Sequence, residues 1–281
     1  MRGGRGTLGP GLIEQSVRLS SRRSLARKFT IIRGVYYCKS YKMEETFNIK
    51  GIILNNKPFS EDGSKVTVYS ENLGKLELVA RGTKKIKSKL AGHLEPISLV
   101  EIMVVRGRQY NYIGAAVSKN CYGNIKSNFD KIKAAGQAIK VFNSIVKIGE
   151  GDQDIFYLLK NYFDFLAGAD AKPDYDLFVQ LFIFKLLIKL GHGPELYNCV
   201  NCHNRISPLG NKFDLARGGL VCVKCLPKPG RAHQLIISEN SIKILRLADK
   251  SDFEELEKIS LNRNTKKEVI NIVNSFFGYN F

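Results

Sequence analysis

Two periods divide the chain. Between residues 49 and 117, apolar and polar positions alternate in short runs, the pattern of strands with one face buried. Residues 49–54 predict a first strand, which Asn55, Asn56, Lys57 and Pro58 punctuate. Residues 65–69 predict a second and residues 75–80 a third, with Glu71-Asn72-Leu73-Gly74 as the hairpin turn between them. Residues 99–105 and 109–117 are the fourth and fifth, joined by Arg106-Gly107-Arg108. Short strands at this density predict a small barrel.

From residue 127 the period lengthens to that of a helix. Ile132, Ala135, Ile139, Phe142 and Val146 step by three and four along one face, with Ser127 as the cap. A second helix is expected over 152–166, with Ile155, Leu158, Leu159, Tyr162, Phe163 and Leu166 inward and Gly168 ending it. The third, 174–190, is apolar almost all round. Such a helix belongs at the centre of a bundle. After an interval at 197–229 the helical signal returns at 238–247. Capping boxes then open at Ser251 and Thr265, the last followed by a stripe of Ile270, Val273 and Phe277. The expected fold class is α+β: a five-stranded barrel over 43–119, then an all-α domain over 124–281 interrupted by the 197–229 insertion.

Charge sharpens this picture. The chain carries 44 basic against 26 acidic residues, a net +18, which calls for an anionic partner. A membrane fits poorly, because the most apolar segment, 177–190, is broken by Gln180, Lys185 and Lys189. Residues 1–42 hold seven arginines and three lysines against the single Glu14, with glycines crowded at the start. The segment is expected to be disordered. It reads either as an organellar transit peptide or, the favoured reading, as upstream read-through with Met43 the true start.

A second concentration matters more. Arg81, Lys84, Lys85, Lys87 and Lys89 fall within nine residues that contain no acid. They sit between strands three and four, where a five-stranded oligonucleotide-binding barrel (OB-fold) places its connecting element. Such a cluster neutralises successive phosphates and releases their counterions. Tyr69, Tyr110 and Tyr112 lie on or near strands and are candidates for stacking on bases, against the plainer expectation that each packs in the barrel wall.

The insertion holds Cys199-Val200-Asn201-Cys202 and Cys222-Val223-Lys224-Cys225, two Cys-x-x-Cys pairs nineteen residues apart. Each two-residue spacer lets one tight turn aim two sulfurs at one ion, and two turns complete a tetrahedron. Cys199, Cys202, Cys222 and Cys225 are therefore expected to hold a structural Zn2+ with no open position. Gly218 and Gly219 are placed to supply positive φ before the second pair. Cys38 and Cys121 are isolated, and thiols in metal-type pairs point to a reducing compartment. His93, His192, His203 and His233 fall into no catalytic spacing, and neither a phosphate loop nor a His-Glu-x-x-His helix occurs. The positive signals are all for binding.

The order of parts, a basic barrel, helices and an inserted four-cysteine element, resembles the bacterial RecO family over about residues 43–280. The stretches that carry the resemblance are Gly51-Ile52-Ile53-Leu54, Glu71-Asn72-Leu73-Gly74-Lys75, Ala80-Arg81-Gly82, Lys87-Ser88-Lys89-Leu90, Glu95-Pro96, Val100-Glu101 and Gly218-Gly219-Leu220. The resemblance implies a non-enzymatic recombination mediator in DNA repair, cytoplasmic and nucleoid-associated. Such a protein binds single- and double-stranded DNA and anneals strands. With the partner RecR it helps load recombinase onto DNA coated by single-strand binding protein, whose C-terminal tail it contacts. Arg81, Lys84, Lys85, Lys87 and Lys89 would hold the DNA backbone, with Arg106 and Arg108 beside them. The competing expectation is an RNA-binding or ribosome-associated OB-fold/zinc-ribbon factor.

Overall fold

A computed structural model describes residues 27–32, 35–40, 45–85, 88–149, 151–169, 173–207, 209–226 and 233–281. It divides into two units, 1–44 and 45–281. In the first, β1 (Arg27–Ile32) pairs antiparallel with β2 (Val35–Ser40), so a two-stranded ladder stands within the segment expected to be disordered. The rest of that expectation lies outside the described residues.

In the second unit the five expected strands are present: β3 (Thr46–Pro58), β4 (Ser64–Ser70), β5 (Gly74–Ala80), β6 (Ser98–Val105) and β7 (Asn111–Asn120). They close in the order β3-β4-β5-β7-β6, with β6 returning to β3 and β5 meeting β7 in parallel. The alternation sends Ile53, Val66, Val68, Leu78, Val100, Ile102 and Val104 into the barrel interior. Strand β3 is long enough to pair with β6 through its first half and with β4 through its second. Among the described residues the connection between β5 and β6 holds one 3-10 turn, Ala91–His93, which His93 Nδ1 fastens to Ser118 Oγ on β7 at 3.0 Å.

The helices follow: α1 (Gly123–Lys126), α2 (Phe129–Ile145), α3 (Gln153–Gly168) and α4 (Tyr175–Lys189), then α5 (Glu239–Lys250), α6 (Phe253–Glu257) and α7 (Arg263–Asn280). The uniformly apolar α4 is the buried centre, with Tyr162 of α3 against Phe182 and Phe165 against Phe178. Caps differ from expectation in detail. Asn128, not Ser127, accepts from the backbone N–H groups of Asp130 and Lys131, and Asn262, not Thr265, caps α7. Ile132 is exposed, because Lys131, Ala134, Ala135, Ala138, Ile139 and Phe142 form the inward face of α2. The other four positions of the expected stripe, Ala135, Ile139, Phe142 and Val146, are buried.

Where separate barrel and helical domains were expected, one core runs across the join. Ile52, Leu54, Tyr69 and Leu99 leave the barrel interior and enter the helical cluster. The β4–β5 turn plugs into the α2–α3 junction, where Gln153 Nε2 donates to Asn72 Oδ1 at 2.9 Å and the Tyr157 hydroxyl donates to Glu71. Gly151 permits this close approach, since a Cβ there would lie 2.6 Å from the Asn72 carbonyl oxygen.

Candidate nucleic-acid interface and metal centre

At the far end of the barrel, register sets two turns side by side. Pro58 faces Ser64 and Ser64 faces Ala80, so the turn at 59–63 adjoins the basic turn that begins at Arg81. Ser64 Oγ and Thr83 Oγ1 share a buried hydrogen bond of 2.7 Å that pins the second turn. The backbone N–H of Lys84 donates to the Asp62 carbonyl at 3.3 Å, and its ammonium donates to the Ser60 carbonyl at 2.8 Å. That bond leaves the Lys84 charge uncancelled. Lys85 pairs with Asp62 at 3.4 Å, both largely exposed. Such a surface pair is worth about 0–1 kcal/mol, so a phosphate can displace the carboxylate.

Arg81 lies with its guanidinium carbon 4.1 Å from the centre of the Tyr112 ring. Lys89 and Arg108 are exposed, and Lys87 lies outside the described residues. Arg106 pairs with Glu45 at 2.8 Å, both largely exposed, and lies over Phe47. Of the three tyrosines considered for stacking, Tyr69 is fully buried, edge-on to Phe142 with ring centres 4.9 Å apart. It belongs to the core. Tyr110 and Tyr112 stay at the barrel end, where Tyr110 meets Phe59. Phe59 was missed: a lone aromatic after Pro58 carries no period, and only pairing places it.

The four paired cysteines converge. Their sulfurs all lie within 4.8 Å of one another, and Cys202 Sγ is 3.8 Å from Cys222 Sγ. Four sulfurs at about 2.3 Å around one tetrahedral ion would stand about 3.8 Å apart. Cys199 is buried, and its sulfur accepts from the backbone N–H groups of Asn201 and Cys222, each at 3.4 Å. Burial pushes the Cys199 thiol up, but those N–H donors outweigh it and hold the group down to about 6. Burial, then a hydrogen bond with Cys225, pushes Cys222 up to about 11. Sulfurs this close cannot all ionise unaided, and a divalent cation resolves the conflict. These residues fit a metal ion. Gly218 takes the expected positive φ of 68°, while Gly219 instead lets the Glu195 backbone approach. A small sheet supports the site: β8 (Lys212–Asp214), flanked by β9 (Gly219–Val221) and β10 (Gln234–Ile236). Phe213 anchors it on Phe276 of α7.

A groove of about 520 Å³ opens among α2, α4 and α7. Val141, Val179, Ile183, Ile270 and Phe277 line it, with Lys140 and Asp176 among its polar residues. Among the described residues no helix is long and apolar enough to cross a membrane.

Comparison with known proteins covers both halves. The family model described as Recombination protein O N terminal matches residues 43–122, and that described as Recombination protein O C terminal matches residues 127–280. The chain is 26% identical over 233 residues to the DNA repair protein RecO of Desulforamulus reducens, covering 83% of this chain and 89% of that one. It is 26% identical over 227 residues to the DNA repair protein RecO of a Thermoanaerobacter species, covering 81% and 89%. To that of Clostridium perfringens it is 24% identical over 223 residues, covering 79% and 87%.

Proposed function

The chain belongs to the recombination protein O family, whose role is in DNA repair and recombination, and from that premise we propose that it is a non-enzymatic mediator that holds DNA at the barrel end. The observation that carries this reading is the turn after β5. Its described cations are exposed and its start is fastened by hydrogen bonds to the neighbouring turn, which holds the backbone that carries Lys84 and Lys85 in place. Arg81, Lys84, Lys85, Lys87 and Lys89 contact successive phosphates, with Arg106 and Arg108 beside them. Single- and double-stranded DNA share that backbone chemistry. Annealing follows when the phosphates of two strands are screened at close range.

In this reading Cys199, Cys202, Cys222 and Cys225 hold Zn2+, which braces the insertion on α7 and takes no part in chemistry. The α2–α4–α7 groove receives the C-terminal tail of single-strand binding protein. Its apolar lining suits the side chains and Lys140 suits the acidic groups of such a tail, while Asp176, also in the lining, is paired with Lys133 at 4.0 Å. With RecR, the protein would then help load recombinase on DNA coated by single-strand binding protein.

The test is a salt titration of single-stranded DNA affinity for the wild type and the triple variant Lys84→Ala, Lys85→Ala, Lys87→Ala, with single-stranded RNA as competitor. Wild-type affinity should fall steeply with salt, and the triple variant should reduce the slope by about 2, since each phosphate contact on a single strand adds about 0.7. Thermal stability should be unchanged. A flat titration, or an unaltered slope in the variant, would move the DNA site elsewhere.

A further inference from the structure

We propose that Phe59 and Tyr110 form a base-stacking platform that makes the barrel end prefer single strands and let go of the finished duplex. The inference rests on the DNA-binding reading of this surface and adds to it what the surface distinguishes. Phosphate contacts alone do not separate a single strand from a duplex, because both present the same backbone. An open aromatic face does, because unpaired bases can leave their neighbours and stack on it, whereas paired bases are already stacked.

Phe59 is 43% exposed, although it leads directly out of β3 and its backbone N–H is tied to the Gly63 carbonyl at 3.1 Å. Its position is therefore held by the turn and not by burial of its ring. Phe59 and Tyr110 meet edge to face, with ring centres 5.4 Å apart and planes at 77°. In that arrangement the edge of one ring rests on one face of the other, and the pair itself leaves the remaining faces uncovered. The cations stand around them. The 59–63 turn is bonded to Lys84 and Lys85 through Ser60 and Asp62, and Tyr112, two residues beyond Tyr110, carries Arg81 on its ring. Aromatic faces interleaved with lysine and arginine are what a single-strand site requires: the cations track the backbone while the rings take the bases.

The platform also gives annealing a direction. A strand bound through its bases must surrender those contacts when the bases pair. The duplex then remains on phosphate contacts alone and leaves more readily than either strand.

The experiment compares wild type, Phe59→Ala and Phe59→Trp on three probes at one salt concentration: an oligothymidylate, its abasic counterpart with the same backbone, and a duplex of the same length. Phe59→Ala should lose about 5- to 150-fold in affinity for oligothymidylate, the range for one stacked base. It should keep the affinity for duplex and abasic strand within about twofold, because surface contacts to phosphate are untouched. Phe59→Trp should restore binding to oligothymidylate. Equal losses on all three probes would overturn the platform and make Phe59 a support for the turn. No loss on any probe would also overturn it, and the Lys84, Lys85, Lys87 triple variant then reports separately whether the phosphate site survives.

Discussion

The two ends of β5 put the same side chain to opposite uses. At its start Lys75 is 9% exposed, and its ammonium donates to the carbonyls of Asn143 at 3.0 Å and Val146 at 3.1 Å, the last turn of α2. At its far end Lys84 makes one bond to a carbonyl and Lys85 one exposed ion pair. Lys75 satisfies helix-end carbonyls that would otherwise be orphaned, so its charge is consumed in joining barrel to bundle. Lys84 and Lys85 keep theirs for a ligand. Basic composition alone therefore says little about where a polyanion binds; what matters is how many of a lysine's donors the fold has already taken.

The comparison can be broken in three places besides the loop substitutions. The largest effect should come at the four-cysteine site, where a chelator would strip the proposed ion; this leaves both ends of β5 in place and strikes a third region. Chelation should destabilise the protein by several kcal/mol, on the order of a lost structural metal moderated by the packing of Phe213 on α7. Affinity of the barrel end for DNA should persist, and denaturant melts with and without chelator, paired with binding assays, check both. A chelated protein that stays folded but releases DNA would place the DNA site at the insertion.

Next, Lys75→Met should cost about 1–3 kcal/mol for the carbonyls left unbonded, read as a shift of the urea midpoint, while DNA affinity stays at the wild-type level. The pH profile sharpens this. Burial holds the Lys75 ammonium below the usual lysine range, with Glu77 opposing. Between that lowered value and the unfolded value of about 10.4, the unfolded chain binds more protons, so wild-type stability rises with pH across that window. The rise should be shallower in Lys75→Met. A Lys75→Met protein of normal stability but weak DNA binding would invert the comparison.

The smallest effect is expected at Tyr162. Its ring packs against Phe182 and Phe253, but its hydroxyl is buried without a hydrogen-bond partner among the described residues. Tyr162→Phe keeps the ring and should be neutral, or stabilising by up to about 1 kcal/mol. Burial also holds the Tyr162 phenol well above its usual range. Above about pH 10 the unfolded chain alone loses that proton, so stability falls with rising pH, and less so in the variant. A clear destabilisation in equilibrium unfolding would show that the hydroxyl has a partner after all.

Sequence by itself determined the parts. Alternation located all five barrel strands, a uniformly apolar run identified α4 as the centre, and Cys-x-x-Cys spacing named the four sulfurs that converge. These signals are local: a strand's period or a two-residue spacer is complete within a few positions. Tertiary structure alone decided which residues are free to act. Tyr69 and Tyr110 look alike in sequence, yet one is closed off by Phe142 and the other stands beside Phe59. Lys75 and Lys84 differ for the same reason, since the carbonyls that occupy Lys75 come from about seventy residues further along the chain. A side chain's availability is set by neighbours distant in sequence, and no local pattern carries that information.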